Sequence, residues 1–190
     1  MRIISGKARG TKLYTLDGEN TRPTLDRVKE SVFNIIQNEL QDCVFLDLFS
    51  GSGAIGLEAA SRGAKKVIMC DNKKDAINII EKNIQKTHLQ EKTQIFNLDF
   101  EELLKTKIKE KIDIIYIDPP YKTDFVSRSL NIIIEQKIIH EQSIIIIETD
   151  DPKKIQEQMK SLKIKITDER KYGRASILLI NIAKQNTRAS

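Results

Sequence analysis

Residues 118–121 read Asp-Pro-Pro-Tyr, and they directly follow an apolar run at 112–117 that predicts a buried strand. Two consecutive prolines make a rigid corner, so they would fix an acceptor carboxylate, a bare carbonyl and an aromatic ring in one place. These three groups suit a flat base that carries an exocyclic amine. We therefore predict a catalytic corner formed by Asp118, Pro119, Pro120 and Tyr121.

The exocyclic amine of guanine, adenine or cytosine is a poor nucleophile, because its lone pair is delocalised into the ring. Acceptance of its N–H groups by the Asp118 carboxylate and the Pro119 carbonyl would favour a pyramidal nitrogen with an exposed lone pair, while Tyr121 could stack on the base. A sulfonium methyl is already activated, so alignment of the two groups should account for most of the rate. Such a base must leave its helix to enter the pocket. The tetrapeptide itself does not choose among the three bases.

A glycine-rich turn at Gly51, Gly53 and Gly56 has the spacing G-x-G-x-x-G and follows a predicted strand at 43–49. That spacing alone fits dinucleotide sites, methyltransferases and a plain strand-to-helix turn. The acid at Asp47 separates these cases, because a carboxylate there would repel the pyrophosphate of a dinucleotide and attract an ammonium group. S-adenosylmethionine has a cationic amino acid end and no phosphate. The sequence therefore predicts S-adenosylmethionine as the cofactor.

Two further acids follow predicted strands. Asp71 ends the second strand and could accept hydrogen bonds from both ribose hydroxyls, or it could cap the helix at 74–87. Asp99 follows the third strand and could accept the adenine amino group, with Phe100 against the ring, or it too could cap a helix. The complete set of residues predicted to bind the cofactor is Asp47, Phe49, Ser50, Gly51, Gly53, Asp71, Asn72, Asp99 and Phe100. We predict no metal site.

These motifs lie in a chain whose strands and helices alternate from residue 43 onward. Strands are predicted at 43–49, 66–70, 93–97, 112–117 and 143–148, and helices at 54–62, 74–87, 100–106, 124–137 and 152–161. The alternation predicts an α/β fold with a doubly wound, mostly parallel sheet. Two closing strands, at 162–168 and 175–182, are joined by too few residues for a crossover helix, so they must pair antiparallel.

The expected order of the strands would bring the two motifs together. In a sheet ordered 3-2-1-4-5, strands 1 and 4 flank the point where the winding reverses, and ligands bind in the crevice there. The glycine-rich turn follows strand 1, and Asp118 follows strand 4. We therefore expect both motifs to face one cleft.

The first 42 residues differ from the rest of the chain. Residues 2–14 alternate around Gly6 and Gly10, which indicates a small hairpin, and a loop at 15–24 follows. A helix is expected at 26–39, capped by Thr24 or Asp26. Its buried stripe would be formed by Val28, Val32, Phe33, Ile35, Ile36 and Leu40. The chain is thus divided into a hairpin-helix extension at 1–42 and a catalytic domain at 43–184.

The net charge of +5 is distributed unevenly along the 190 residues. Residues 1–14 carry +4 and residues 160–190 carry +6, which leaves −5 for the segment 15–159. Basic ends indicate contact with the phosphates of a nucleic acid, although solvated tails have the same composition. The residues predicted to contact nucleic acid are Lys7, Arg9, Lys12, Arg22, Thr24, Arg27, Lys171 and Arg174.

Cysteine usage and hydropathy bear on the cellular location. Cys43 and Cys70 are the only cysteines, which argues against a disulfide framework and for a reducing compartment. No apolar run approaches the roughly 20 residues that span a bilayer. The N-terminus lacks the apolar stretch of a signal peptide. We expect a cytoplasmic protein without membrane contact.

Five segments carry a resemblance to a known family: Ile4-Ser-Gly-Lys-Ala-Arg-Gly, the stretch 22–34, Asp47-Leu-Phe-Ser-Gly-Ser-Gly, Asp118-Pro-Pro-Tyr and Lys171-Tyr-Gly-Arg. Over nearly its full length the chain resembles the RsmD type of bacterial methyltransferase, which makes N2-methylguanine in the RNA of the small ribosomal subunit. The stretch 22–34 is the specific part, since Asp-Pro-Pro-Tyr is shared with many amino-methylating enzymes. The resemblance implies the class I methyltransferase fold, with a seven-stranded sheet whose last strand is antiparallel.

The resemblance also implies partners and residue roles. The substrate would be 16S rRNA within a small subunit or an assembly intermediate, and the enzyme would be a monomer. Carried over residue by residue, the guanine would be held by Asp118, Pro119 and Tyr121. The cofactor would be held by Asp47, Gly51, Gly53 and Asp71, with Arg22 and Thr24 beside the cleft.

Other functions stay open at this point. A DNA adenine-N6 or cytosine-N4 methyltransferase would use the same tetrapeptide, but such enzymes usually carry a sizeable target-recognition domain. A protein glutamine N5-methyltransferase solves the same problem at an amide nitrogen, but it typically carries Asn in place of Asp118. A non-enzymatic RNA-binding module would keep the basic ends, but it has no use for two motifs facing one cleft.

Overall fold

A computed structural model of the chain describes residues 1–16, 23–120 and 123–182, without the side chains of residues 23–25. The chain separates into two compact units, Met1–Asp99 and Phe100–Ser190. The division predicted between residues 42 and 43 stays a prediction.

The first unit is built on three parallel strands in the order β3-β2-β1. They are β1 (Val44–Asp47), β2 (Lys66–Asp71) and β3 (Thr93–Asn97). Two crossover helices connect them, α2 (Ala54–Arg62) and α3 (Lys74–Thr87). All four residues of β1 are buried, as expected for a strand that is covered on both faces. The carboxyl ends of β1 and β2, which carry the predicted cofactor residues, therefore lie at one edge of this unit.

The N-terminal head of this unit is a short hairpin followed by helix α1 (Pro23–Ile35). The hairpin has an antiparallel bridge between Arg2 and Lys12. It is attached to α2 through the carboxylate of Glu58, which is fully buried. Glu58 accepts hydrogen bonds from the backbone N–H groups of Ile4, at 2.8 Å, and Ser5, at 3.0 Å. The predicted hairpin-helix extension is thus present, and it packs on the helix that follows the glycine-rich turn.

The second unit contains β4 (Ile112–Ile117), β5 (Ile139–Thr149), β6 (Asp168–Tyr172) and β7 (Ala175–Asn181). β4 and β5 are parallel, whereas β7 is antiparallel to both β5 and β6. A short α4 (Phe100–Glu102) continues into a π-helical turn at Leu103–Lys107. The remaining helices are α5 (Phe125–Glu135) and α6 (Pro152–Ser161).

The strand order β3-β2-β1-β4-β5-β7-β6 gives the predicted fold class. It is a doubly wound, mostly parallel sheet of seven strands that ends in an antiparallel hairpin, and this prediction is confirmed. Among the described residues, no helix is long and apolar enough to cross a membrane.

Helix α1 differs from the prediction at both ends. It begins at Pro23 rather than at residue 26, and it ends at Ile35 rather than at residue 39. Thr24 and Asp26 therefore lie inside the helix, and the prediction that one of them is the N-cap is wrong. Proline is favoured at the first helical position, because the N–H group that it lacks has no partner within the helix there.

The first closing strand was predicted at 162–168, but β6 occupies Asp168–Tyr172. The residues after α6 form a turn in which Lys163 has a positive φ of 56°. The N–H groups of Leu162 and Ile164 both bond to the carbonyl of Met159, at 3.2 and 3.1 Å. β6 itself is a polar edge strand, so it lacks the apolar alternation that reveals a half-buried strand.

Gly6 shows how closely the head packs on α2. It has a φ of +85°, and a Cβ atom added there would lie 1.9 Å from the backbone oxygen of Ser61. Gly10 has nearly the same φ, +86°, but a Cβ atom there would meet nothing within 4 Å.

Substitution of these two glycines by alanine separates backbone strain from steric overlap. We expect Gly10→Ala to cost about 1–2 kcal/mol of unfolding free energy, because both positions require a left-handed backbone. Gly6→Ala should cost at least about 1–3 kcal/mol more, because the head must move away from α2. Urea unfolding of both variants provides the measurement. Equal losses of stability would contradict the close packing of the head on α2.

Candidate functional site

The glycine-rich turn between β1 and α2 is fixed by Ser50. The Ser50 hydroxyl donates to the carbonyl of Asp47 at 2.8 Å and accepts from the N–H of Cys70 at 3.0 Å. The backbone N–H of Ser50 donates to the carbonyl of Cys70 at 2.9 Å. Gly51 and Gly53 then take positive φ values of 52° and 76°, which a glycine adopts without strain. Ser50 is thus a buried structural tie between the turn and β2.

Asp47 lies at the start of this turn and is almost completely buried. Its Oδ2 atom accepts a hydrogen bond from the N–H of Gly56 at 3.0 Å. The pKa of the Asp47 carboxyl is raised to about 7, chiefly by burial; the Gly56 N–H opposes this effect, and the nearby charge of Asp71 adds to it. A positively charged ligand beside Asp47 would relieve this penalty, whereas a phosphate would increase it.

Asp71 joins the turn from the end of β2. Its Oδ2 atom accepts from the N–H of Gly51 at 3.0 Å, and its Oδ1 atom accepts from the N–H of Lys73 at 2.9 Å. The side chain of Asn97 donates to the Asp71 carbonyl at 3.0 Å. Asp71 therefore holds the turn and Lys73, the N-cap residue of α3, but it does not cap the helix itself. Each carboxylate oxygen retains a further lone pair that a ribose hydroxyl could use.

Gly56 permits the close contact between α2 and β2. A Cβ atom at Gly56 would lie 2.7 Å from both Cγ and Sδ of Met69, which is fully buried. The third glycine of the motif is therefore required for helix–sheet packing, which is its usual role in nucleotide-binding turns.

Asn83 supports the turn from α3, and its role was not predicted. The side chain is fully buried, and its amide nitrogen donates to the carbonyls of Ser52 and Tyr14, each at 2.9 Å. Its Oδ1 atom accepts from the N–H of Tyr14 at 2.8 Å. A polar residue within the apolar stripe of an amphipathic helix was the signal in the sequence. Asn83 links the glycine-rich turn to the end of the hairpin at Tyr14.

The remaining predicted cofactor residues have varied surroundings. Phe49 is half-buried, and Asn72 and Asp99 are exposed. Phe100 belongs to the second unit, is only 3% exposed, and packs with its ring centroid 5.0 Å from that of Phe125. The guanidinium of Arg128 lies 5.5 Å from the Phe100 ring centroid. These protein contacts leave little of the Phe100 ring for an adenine, and its assignment to the cofactor stays a prediction.

The catalytic corner follows β4 in the second unit. Asp118 and Pro119 are half-buried and Pro120 is exposed, while Tyr121 lies outside the described residues. The carbonyl of Pro120 accepts a hydrogen bond from the Thr123 hydroxyl at 2.9 Å. The side chain of Lys154 on α6 donates to the Thr123 carbonyl at 3.2 Å. Thr123 is thus tied to both Pro120 and α6, and Asp118 is partly accessible.

A buried pair at the same end of the second unit was also missed. The Tyr116 hydroxyl donates to Oε2 of Glu148, and both side chains are buried. Burial raises the pKa of the Glu148 carboxyl, and the bond from Tyr116 opposes this effect. Since Ile117 pairs with Ile147, Glu148 lies on β5 at the level of Asp118, the residue that follows β4. The signal in the sequence was an acid at the end of an isoleucine run.

The predicted nucleic-acid residues that the structure describes are exposed. Lys7, Arg9, Lys12 and Arg27 lie in the first unit, and Lys171 and Arg174 lie at the β6–β7 turn of the second. Arg22 and the side chain of Thr24 lie outside the described part of the chain. The expectation that the glycine-rich turn and Asp118 face one cleft stays a prediction.

The sequence is similar to a known family and to named methyltransferases along most of its length. The family model described as "Conserved hypothetical protein 95" matches residues 1–181. The ribosomal RNA small subunit methyltransferase D of Haemophilus influenzae is 35% identical over 157 residues, which cover 80% of each chain. YlbH of Bacillus subtilis, provisionally named as an rRNA methyltransferase, is 34% identical over 181 residues, which cover 94% of this chain and 97% of YlbH.

A solved structure shares the fold over most of the chain. The Escherichia coli protein yhhF, provisionally described as a methyltransferase, superimposes with a TM-score of 0.80 at 26% identity. The match covers 95% of this chain and 97% of yhhF. Together with the strand order, this similarity confirms the predicted class I methyltransferase fold.

The buried Asp47 carboxyl predicts a pH dependence of folding that can be isolated. Its pKa is raised in the folded state, so its contribution to stability is fully present below its ordinary pKa of 3.8 and is lost as the pH rises to about 7. In Asp47→Asn, the amide oxygen can still accept from Gly56, but the charge never forms. We expect the unfolding free energy of the variant relative to the original chain to rise by on the order of a few kcal/mol between pH 4 and pH 7. Urea unfolding across this range measures the difference, and a difference independent of pH would contradict the assignment.

Proposed function

The chain belongs to the family described as conserved hypothetical protein 95, whose curated relatives include RsmD-type rRNA methyltransferases, and we propose that it methylates the exocyclic N2 amine of a guanine in 16S rRNA. The methyl donor is S-adenosylmethionine. The observation that carries this proposal is the carboxylate-lined glycine turn, in which Asp47 is buried and Asp71 bonds to Gly51. The buried carboxylate of Asp47 disfavours a pyrophosphate and favours a cationic group, while Asp71 suits the ribose of a nucleoside.

The residues of the turn fit S-adenosylmethionine by their chemistry. Asp47 would accept the ammonium group of the amino acid end, next to the backbone of Gly51 and Gly53. Asp71 would accept the ribose hydroxyls on the lone pairs that its backbone donors leave free. When bound, the cofactor supplies a methyl group activated by a sulfonium.

The corner after β4 would hold the acceptor. The Asp118 carboxylate and the Pro119 carbonyl would accept the two N–H groups of the guanine amine and expose the lone pair of its nitrogen. Asp118 need not be a strong base for this role, because the amine becomes strongly acidic once it is alkylated. Tyr121, whose position lies outside the described residues, would stack on the base. We assign most of the rate to the alignment of amine and methyl group.

Similarity to named rRNA methyltransferases and the exposed basic residues support rRNA as the substrate. Relatives named ribosomal RNA small subunit methyltransferase D favour rRNA over DNA or a glutamine side chain. The exposed basic residues of the head and of the β6–β7 turn would contact the phosphates. The remaining proposals are a monomeric enzyme, a small subunit or assembly intermediate as substrate, and action in the cytoplasm.

The reaction is tested with S-adenosylmethionine that carries a labelled methyl group. Candidate acceptors are small subunits that lack the modification, naked 16S rRNA and duplex DNA, and nucleoside analysis identifies the product. We expect N2-methylguanine in RNA. N6-methyladenine in DNA, or no transfer to any form of RNA, would refute the proposal.

Asp118→Ala should lower the transfer rate by at least about 100-fold, because the amine loses its charged acceptor, while the Kd for S-adenosylmethionine stays within about twofold. Asp113→Ala is the matched control, since Asp113 lies on the same strand and bonds to His140 at 2.8 Å. The control should retain transfer. Loss of cofactor binding in Asp118→Ala would show that Asp118 had been assigned to the wrong ligand.

A further inference from the structure

A pocket of about 300 Å³ lies in the N-terminal head, apart from the glycine-rich turn. The hairpin contributes Arg2, Arg9 and Gly10 to its wall, and α1 contributes Asp26 and Glu30. Asp26 and Glu30 come from the stretch 22–34, the most specific part of the resemblance, and the other lining residues come from the hairpin. Neither segment has a defined task in the methyl-transfer site proposed above.

The walls of this head pocket are held in place by buried polar contacts. Glu58 accepts from the N–H of Ile4 and pairs with Lys29 at 3.2 Å, and the Lys29 side chain also donates to the carbonyl of Arg2. The N–H of Gly10 bonds to the carbonyl of Ile3 at 2.9 Å. The hairpin wall and the helix wall are thus joined through one carboxylate, so the pocket is preformed rather than created by a ligand.

Several charged side chains of the head pocket have no recorded partner within the described part of the chain. The Oδ1 atom of Asp26 is buried and accepts no hydrogen bond there. Arg2, Arg9 and Glu30 are exposed and form no ion pair with another described residue. A buried acceptor without a donor is costly, and a ligand that supplies a donor would remove that cost.

The combination of groups restricts the ligand. Two guanidinium groups suit a phosphate, but a free phosphate would be repelled by Asp26 and Glu30. Two carboxylates suit a cation or an N–H donor, but a metal ion would be repelled by the arginines. A nucleotide satisfies both sets, with an anionic phosphate at one end and a base edge of N–H donors at the other. Guanine suits a carboxylate best, because its N1–H and N2–H groups lie side by side.

We propose that the head pocket binds one unpaired guanine nucleotide of the substrate RNA, distinct from the guanine that is methylated. Arg2 and Arg9 contact its phosphate, and Asp26 and Glu30, one helical turn apart on α1, accept from its base edge. A pocket of about 300 Å³ is at the small end of ligand sites and has room for one nucleotide. This inference rests on the proposed function, for which it supplies a determinant of substrate choice.

A substitution in the head pocket separates base recognition from general attraction of RNA to a basic surface. Asp26→Asn removes a negative charge, so electrostatics alone predicts tighter binding of RNA. The nucleotide pocket predicts weaker binding, because the carboxylate no longer receives both guanine donors. Glu39→Gln is the matched control, since Glu39 is an exposed acid of the head outside the pocket.

Arg9→Gln and Lys7→Gln form a second pair of variants. Both residues are exposed, but of the two only Arg9 lines the pocket.

The experiment measures binding of labelled single-stranded heptauridine with a central guanosine, and of the same RNA with inosine, which lacks the N2 amine. The full chain carries Asp118→Ala throughout, so that the methylation site does not contribute to base preference. We expect guanosine to bind about tenfold more tightly than inosine. Asp26→Asn should abolish this preference and weaken binding, and Glu39→Gln should retain it. Arg9→Gln should weaken binding several-fold more than Lys7→Gln.

Tighter or unchanged binding in Asp26→Asn, or equal effects in the two basic variants, would overturn the head pocket as a nucleotide site. Glu30→Gln repeats the test independently of Asp26. The Kd for S-adenosylmethionine reports whether the first unit is still folded in each variant.

If the original chain transfers no methyl group to RNA, the proposed function fails whatever the binding result. If transfer occurs but base preference is insensitive to Asp26 and Glu30, only the head pocket fails.

Discussion

The buried carboxylate of Glu58 holds the N-terminal head against α2, and the binding features of the first unit depend on this contact. Glu58 accepts from the N–H groups of Ile4 and Ser5 and pairs with Lys29 and Arg62. A fully buried charge is tolerated because these donors surround it, and removal of one partner would leave it uncompensated. The same helix carries Gly56, which packs on β2 and donates to Asp47. One helix therefore supports both the glycine-rich turn and the head pocket.

Much of the fold could be predicted, because its strands are nearly continuous apolar runs. The helix at 54–62, the helix at 74–87 and the strand at 112–117 have the predicted bounds. Each is bounded by glycine, proline or a polar cluster, and each buries a face wide enough to impose its period. The location of Asp47 beside the glycine-rich turn could likewise be predicted. A tight turn from a strand to a helix fixes the end of the strand, and Asp47 is the last residue of β1.

The remaining features depend on contacts between segments that are distant in sequence. The polar edge strand β6 is defined by its pairing with β7 and not by its own composition. Asn83, Tyr116 and Glu148 are each a polar residue within an apolar pattern. Their hydrogen-bond partners lie far away in the sequence, so only the folded chain shows which groups they contact. Burial of Asp47 was also not apparent, because the sequence gives no measure of how far water reaches into the turn. The head pocket combines residues of the hairpin with residues of α1, and no local pattern in the sequence shows that they share a wall.

The central claim is that the carboxylates of the glycine-rich turn select a cationic nucleoside in place of a dinucleotide. Titration calorimetry of S-adenosylmethionine and of NAD near pH 6.5, in buffers of different ionisation enthalpy, measures both affinity and proton release. An ammonium group beside Asp47 lowers its pKa from about 7, so binding of S-adenosylmethionine should release a fraction of a proton. NAD should not bind measurably, and Asp47→Asn should abolish the proton release. Binding of NAD with comparable affinity, or the same proton release in Asp47→Asn, would contradict the claim.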